Sequence, residues 1–223
     1  MSEGKQPFVI DTSYKLMESG SPKSSKPLIV YLHGYKQNIP IFERKTAALH
    51  QLDAYHLYIK GPYPIPLPGR KIEEWGAAWY LYDGDKQKFI ESLEHTSTFL
   101  EKTIKEIKDS LNISKTVMIG YSMGGYQSGY FSLTRPRWVN YSVVISARIK
   151  DELIESDWQK LKNTSFFAIH GKRDKSVKLE PQQKSVEVLI NHEIEAELAV
   201  ADTGHKLNNS LIGPVYKWLK NKL

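Results

Sequence analysis

An α/β fold, with a mostly parallel central sheet and helices on both faces, is what this sequence predicts, and three observations carry that expectation. Short runs rich in Val, Ile, Tyr and Phe alternate with longer segments of helical period. Several of those runs, such as Leu28-Ile-Val-Tyr-Leu and Val117-Met-Ile-Gly, are apolar almost without interruption, as a strand buried on both faces must be. The length, 223 residues, suits one sizeable domain and is short for two, so a single domain over residues 1–223 is expected.

Taken in chain order, Phe8–Met17 reads as an additional edge or antiparallel strand. Lys26–His33 is the first buried strand, Ile41–Leu52 has helical period, and Tyr55–Lys60 is the next strand. The rhythm then breaks at Gly61-Pro-Tyr-Pro-Ile-Pro-Leu-Pro, where four prolines forbid both helix and central strand. Residues 61–84, with Trp75, Trp79, Tyr80 and Tyr82, therefore form a long excursion from a strand end, a place where substrate pockets are built. The clearest helix lies within Asp85–Leu111, where Phe89, Ile90, Leu93, Leu100, Ile104, Ile107 and Leu111 make one stripe opposite Glu and Lys. Strands follow at Thr116–Tyr121, Tyr141–Ser146, Ser165–His170 and Ile194–Val200. Helices are expected over Met123–Thr134, Asp151–Leu161, Pro181–Asn191 and Pro214–Lys220, with Pro181 and Pro214 as first-turn prolines.

Composition narrows the chemistry. With 40% hydrophobic and 25% charged residues the chain is neither disordered nor fibrous, and zero cysteines remove disulfides, thiolate metal sites and cysteine nucleophiles together. The net charge of +6 is spread over short, separated places such as Lys23/Lys26, Lys172/Arg173/Lys175 and Lys217/Lys220/Lys222. Without aromatic interleaving this predicts a solvated basic surface and no nucleic-acid partner. No apolar run approaches the ~20 residues of a membrane span and the N-terminus has no signal core, so a cytoplasmic protein without a stable membrane anchor is expected. The sequons at Asn112, Asn140, Asn163 and Asn208 then carry no meaning. Neither a dinucleotide fingerprint, a phosphate-binding Gly-rich loop nor a metal-ligand pattern appears, so no cofactor and no metal are expected.

One motif stands where a mechanism needs it. Gly120-Tyr-Ser122-Met-Gly124 lies between an apolar strand and a helical segment, the setting in which a serine sits on a sharp turn and the flanking positions have no room for side chains. A serine hydroxyl is a weak nucleophile and requires a base, which in turn requires an orienting carboxylate. Asp174, in His170-Gly-Lys-Arg-Asp174, and His205, in Asp202-Thr-Gly-His205, each follow a later strand end. Of seven histidines, His50, His95 and His192 fall in helical segments and His56 at a strand start, away from the carboxyl edge where such sites form. His33 and His170 precede tight turns. Asp202 is the rival acid, but it lies three residues before His205 in the same turn. For the oxyanion, the Met123 N–H and the Tyr35 N–H, reached through the turn at His33-Gly34, are the expected donors.

These motifs, His33-Gly34-Tyr35, Gly120-x-Ser122-x-Gly124-Gly125, His170-Gly-x-x-Asp174-x-x-Val177 and Gly204-His205, resemble the phospholipase/carboxylesterase group of the α/β-hydrolase superfamily, which includes acyl-protein thioesterases, over nearly the whole chain. The order Ser122, Asp174, His205 is that of α/β-hydrolases. The resemblance implies an α/β-hydrolase fold, Ser122 as nucleophile with Asp174 and His205, and an oxyanion hole from the Tyr35 and Met123 amides. It places Trp79-Tyr80 beside the acyl pocket, with His33, Gly34, Lys36 and Trp75 also expected around the substrate. Lys36 stands where the family usually has a second glycine, and Met123 where it usually has Gln.

The function expected is hydrolysis of a small-molecule ester or thioester through an acyl-enzyme, by a carboxylesterase, with an acyl thioesterase or lysophospholipase as alternatives. A peptidase would need an accessory domain for which there is no room. A non-catalytic hydrolase-fold binder would have lost triad members.

Overall fold

A computed structural model describes residues 4, 6, 9–153 and 158–223. Seven strands form one sheet: β1 (Tyr14–Glu18), β2 (Lys26–Leu32), β3 (Tyr55–Ile59), β6 (Ile113–Tyr121), β7 (Tyr141–Ile145), β8 (Ser165–Gly171) and β9 (Ala196–Ala201). Their order is β1-β3-β2-β6-β7-β8-β9; β1 runs antiparallel at the edge and every other pairing is parallel. The Pro-rich excursion contributes a separate hairpin, β4 (Tyr63–Ile65) with β5 (Gly76–Ala78).

Among the described residues the α-helices are α1 (Ile39–Thr46), α2 (Lys86–Ser110), α3 (Met123–Thr134), α4 (Leu179–Asn191) and α5 (Asn209–Lys222). Alternate residues of β2 explain why both sheet faces are covered. Ile29 and Tyr31 pack with Phe42 of α1 and Leu211, Val215 and Leu219 of α5, whereas Leu28, Val30 and Leu32 pack with Leu100, Ile104 and Phe131 of α2 and α3. The mostly parallel sheet with helices on both faces is therefore the architecture the strand composition implies. The chain winds outward from β2 in one direction and from β6 in the other. The carboxyl ends of these neighbours, paired at Leu32 and Gly120, form the switch point where ligands bind such sheets.

Several boundaries differ from the sequence expectation for identifiable reasons. Phe8 lies outside the described residues, and the edge strand begins at Tyr14. The helix expected over Asp151–Leu161 is two 3-10 turns, Asp151–Leu153 and Trp158–Leu161, with residues 154–157 outside the described set. Leu153 packs beside Phe89 and Tyr130, while Leu161 is buried with Phe166 and Leu189, so the two ends serve different clusters. Helix α1 starts at Ile39 because the Asn38 side chain caps the Ile41 N–H, and it passes into a 3-10 turn over Ala47–Gln51. Pro181 does fall in a first turn, but Pro214 lies inside α5. Asn208 caps that helix at the Ser210 N–H, and the carbonyl that the proline leaves free belongs to Ser210, an exposed residue.

Candidate active site

Between β6 and α3 the chain reverses at Ser122, which holds φ 52° and ψ −118°, a conformation L-residues rarely adopt. The turn stands because its flanks lack side chains: a Cβ on Gly120 would lie 2.1 Å from the Gly124 carbonyl oxygen, and one on Gly124 would lie 2.2 Å from that of Leu32. The Ser122 N–H donates to Ile145 O at 2.9 Å, and Ser122 O accepts from Gly125 and Tyr126 N–H at 2.8 and 3.1 Å, tying the serine to β7 and to the first turn of α3.

The loops after β8 and β9 bring Asp174 and His205 to this serine. His205 Nε2 lies 2.9 Å from Ser122 Oγ, and His205 Nδ1 lies 2.7 Å from Asp174 Oδ2. Because an ionised carboxylate only accepts, the proton sits on Nδ1 and Nε2 is left to accept from the serine hydroxyl. Asp174 is fully buried, while the His205 side chain keeps 24% of its surface exposed, so the imidazole is reachable from solvent. Burial alone would raise the Asp174 carboxyl, but the Val177 amide, His205 and the Ser176 amide together hold it below the ordinary carboxylate value. Both amides donate to Oδ1 at 2.9 Å. Tyr121 fixes the other end of the arrangement by donating its hydroxyl to His205 O at 2.8 Å. Asp202, the rival acid, is 77% exposed and paired with Arg173 at 2.9 Å.

His170, set aside on sequence grounds, is buried beneath the acid: its Nε2 lies 2.9 Å from Val177 O and 3.4 Å from Asp174 Oδ2. The Asp174–Val177 turn is thus held from both sides. The sequence signal was there in the His170-Gly-x-x-Asp174 spacing, but a histidine that braces a turn cannot be told from a surface one without the fold.

The turn after β2 lies alongside. His33 is buried; its Nδ1–H donates to Gly34 O at 2.8 Å and its Nε2 accepts from Gly61 N–H at 3.0 Å, while burial lowers its pKa to about 4. Gly34 N–H donates to Gln37 Oε1 at 3.0 Å, and Lys36 N–H to Ala77 O at 3.1 Å. Lys36 holds φ 61°, the left-handed region that favours glycine. Among the described residues the main-chain N–H groups of Tyr35 and Met123 make no hydrogen bond, which leaves both available to a ligand.

The aromatic residues expected around the substrate separate. Trp79 has no exposed surface; its indole N–H donates to His33 O at 2.7 Å, so it braces the turn and does not line an open cavity. Trp75 donates to Arg70 O and lines a cavity of about 510 Å³ with Ile10, Lys60 and Pro62. Tyr80 alone of the three lines a cavity of about 520 Å³ with Tyr126, the residue one helical turn past Ser122. That cavity also takes in Phe89 and Lys150, which sequence reasoning missed; the i, i+4 spacing of Tyr126 from Ser122 was the available clue. Among the described residues no group of three or more His, Asp or Glu is placed to hold a metal ion, and no helix is long and apolar enough to cross a membrane.

Comparison with known proteins places this geometry in context. A family model described as phospholipase/carboxylesterase matches residues 15–223. Among solved structures, esterase PE8 superposes with a TM-score of 0.75 at 18% identity, covering 96% of this chain and 100% of that one. A Bacillus cereus carboxylesterase gives 0.74 at 17% identity with 95% of each chain covered. Arabidopsis thaliana SOBER1 gives 0.66 at 18%, covering 88% of this chain and 98% of that one. Likeness at such identities speaks for a common fold. No curated protein matches the chain in sequence.

Proposed function

Because the chain belongs to the phospholipase/carboxylesterase family, an esterase family of α/β-hydrolase fold, we propose that it cleaves carboxylic esters through an acyl-enzyme intermediate formed on Ser122. The observation that carries this reading is the continuous chain of hydrogen bonds from Ser122 Oγ through His205 to Asp174, at 2.9 and 2.7 Å.

In the first half-reaction His205 Nε2 takes the hydroxyl proton as Ser122 Oγ attacks the acyl carbon. The buried Asp174 carboxylate stabilises the imidazolium that results. The negative oxygen of the tetrahedral intermediate is received by the Met123 and Tyr35 N–H groups, a type of contact worth about 10²–10³ in rate per donor. His205 then passes its proton to the leaving oxygen, and the alcohol departs. In the second half-reaction His205 deprotonates a water, which attacks the acyl carbon; the bond to Ser122 Oγ breaks as His205 returns the proton to it, and the acid is freed. A thioester would follow the same steps with a thiol leaving.

Treating the protein with a fluorophosphonate and measuring intact mass tests the reading. One adduct on Ser122, absent from Ser122→Ala, is expected, and Asp174→Asn should lose about 10⁴ in kcat on a simple ester. A folded sample that takes no label would overturn the assignment.

A further inference from the structure

The cavity beside Tyr126 has a chemistry that a plain acyl channel does not require. Its walls are aromatic: Tyr80 meets Phe89 edge to face at 4.9 Å and Tyr126 at 6.5 Å, and Tyr82 meets Phe89 at 5.3 Å. Hydrogen-bond donors converge within those walls. The hydroxyls of Tyr80 and Tyr126 have no partner among the described residues, and burial, reinforced at Tyr80 by Tyr126 and at Tyr126 by Asp174 against an opposing Arg148, keeps both protonated and donating. The Lys150 ammonium lies 5.7 Å from the ring centroids of both Phe89 and Tyr126, with only 20% of its side chain exposed.

The acceptors nearby do not match these donors. Glu152 is shared between Lys150, at 3.3 Å, and Arg148, whose Nε is buried without a partner. Lys86 also lines the cavity, and Asp151 acts on Lys150 from outside its lining. Among the described residues Lys150, Arg148 and Lys86 stand with Glu152 and Asp151 here, Asp174 acts on Tyr126, and two tyrosine hydroxyls add neutral donors. A partly buried aromatic site with unpartnered donors is complementary to a carboxylate.

We propose that this cavity selects substrates bearing a carboxylate at the end remote from the scissile ester, with Lys150 as the specificity-determining residue. The inference rests on the serine-hydrolase reading above, which supplies the ester. Tyr126 links the two sites, because its N–H binds Ser122 O at 3.1 Å and its hydroxyl lies within the field of Asp174. On this proposal a group attached to the acyl-enzyme reaches the cavity past the first turn of α3.

The test compares kcat/KM, followed by pH-stat, for monoethyl esters of succinate, glutarate and adipate with ethyl esters of neutral acids of equal length. A second pair, 4-acetoxybenzoate and 4-acetoxytoluene, places the carboxylate on the alcohol side. Wild-type protein is expected to prefer the anionic member of at least one pair by tenfold or more. Lys150→Met should collapse that ratio and Lys150→Arg should retain it, while Lys105→Met, on the exposed face of α2, should leave it as in wild type. Neutral esters hydrolysed with no preference for either anionic probe, or a ratio that Lys150→Met does not change in a protein with native circular dichroism, would overturn this inference alone. A folded protein that hydrolyses none of the esters and resists the fluorophosphonate would overturn the serine-hydrolase reading and this inference with it.

Discussion

The indole N–H of Trp79 donates to the main-chain carbonyl of His33 at 2.7 Å, joining residues 46 positions apart beneath the turn that follows β2. The two rings also lie 4.9 Å apart, so the contact is both polar and packed. The hairpin formed by the Pro-rich excursion thereby braces the turn that carries Tyr35.

Trp79→Phe removes that donor and leaves a buried carbonyl unpaired, a loss of about 1–3 kcal/mol. Because the affected turn carries a proposed oxyanion donor, kcat on an ester should fall about tenfold with a smaller change in KM. Urea unfolding and steady-state kinetics on the same sample check both halves; a stability loss with unchanged kcat would mean that the brace does not reach the site.

Gly124 is the second point at which the site depends on close approach. A Cβ there would lie 2.2 Å from Leu32 O and 2.5 Å from His33 O, both main-chain atoms that cannot swing aside. Gly124→Ala is expected to destabilise the protein by about 3 kcal/mol and to slow fluorophosphonate labelling at least a hundredfold in whatever folds. Labelling at the wild-type rate would show that the elbow adapts.

Lys36 invites the opposite outcome. At φ 61° a lysine side chain costs roughly 1 kcal/mol that glycine would not. Lys36→Gly should leave the melting temperature unchanged or raise it, despite losing the 5.4 Å contact of the ammonium with the Tyr35 ring, whereas Lys36→Val should cost about 1–2 kcal/mol. Thermal melts of the two variants decide it, and a Val variant as stable as wild type would contradict the strain argument.

Buried histidines set an acid limit to stability. Burial lowers His33 and His56 to about 4, the positive charge of His50 adding to the effect at His56. In the unfolded chain each returns to about 6.5, so between those values the unfolded state binds more protons. Stability should be insensitive to these groups above pH 6.5 and should fall as pH drops from 6.5 towards 4, by up to about 1.4 kcal/mol per pH unit for each. Urea midpoints at pH 7, 6 and 5 should show this decline, with a shallower slope in His56→Gln; parallel slopes would remove His56 from the account.

Much of this protein could be read before it was folded. The apolar runs at β2, β6 and β8 announced buried parallel strands, because only a strand covered on both faces tolerates uninterrupted runs such as residues 28–32 and 166–169. The chain order of Ser122, Asp174 and His205, each just past a strand end, singled out one constellation because a parallel sheet collects its carboxyl ends along one edge.

Tertiary structure decided what local pattern leaves open. The aromatic cluster at 75–80 looked uniform in sequence, yet Trp79 became a fully buried brace, Trp75 part of a separate cavity, and Tyr80 a wall of the cavity beside Tyr126. His170 came to lie against Asp174, and Lys150 over the ring of Phe89, 61 positions away along the chain. A strand announces itself through its own residues, since burial on a face repeats along the chain. The partner of a single side chain is set by which elements the fold brings against it, and no local period encodes that.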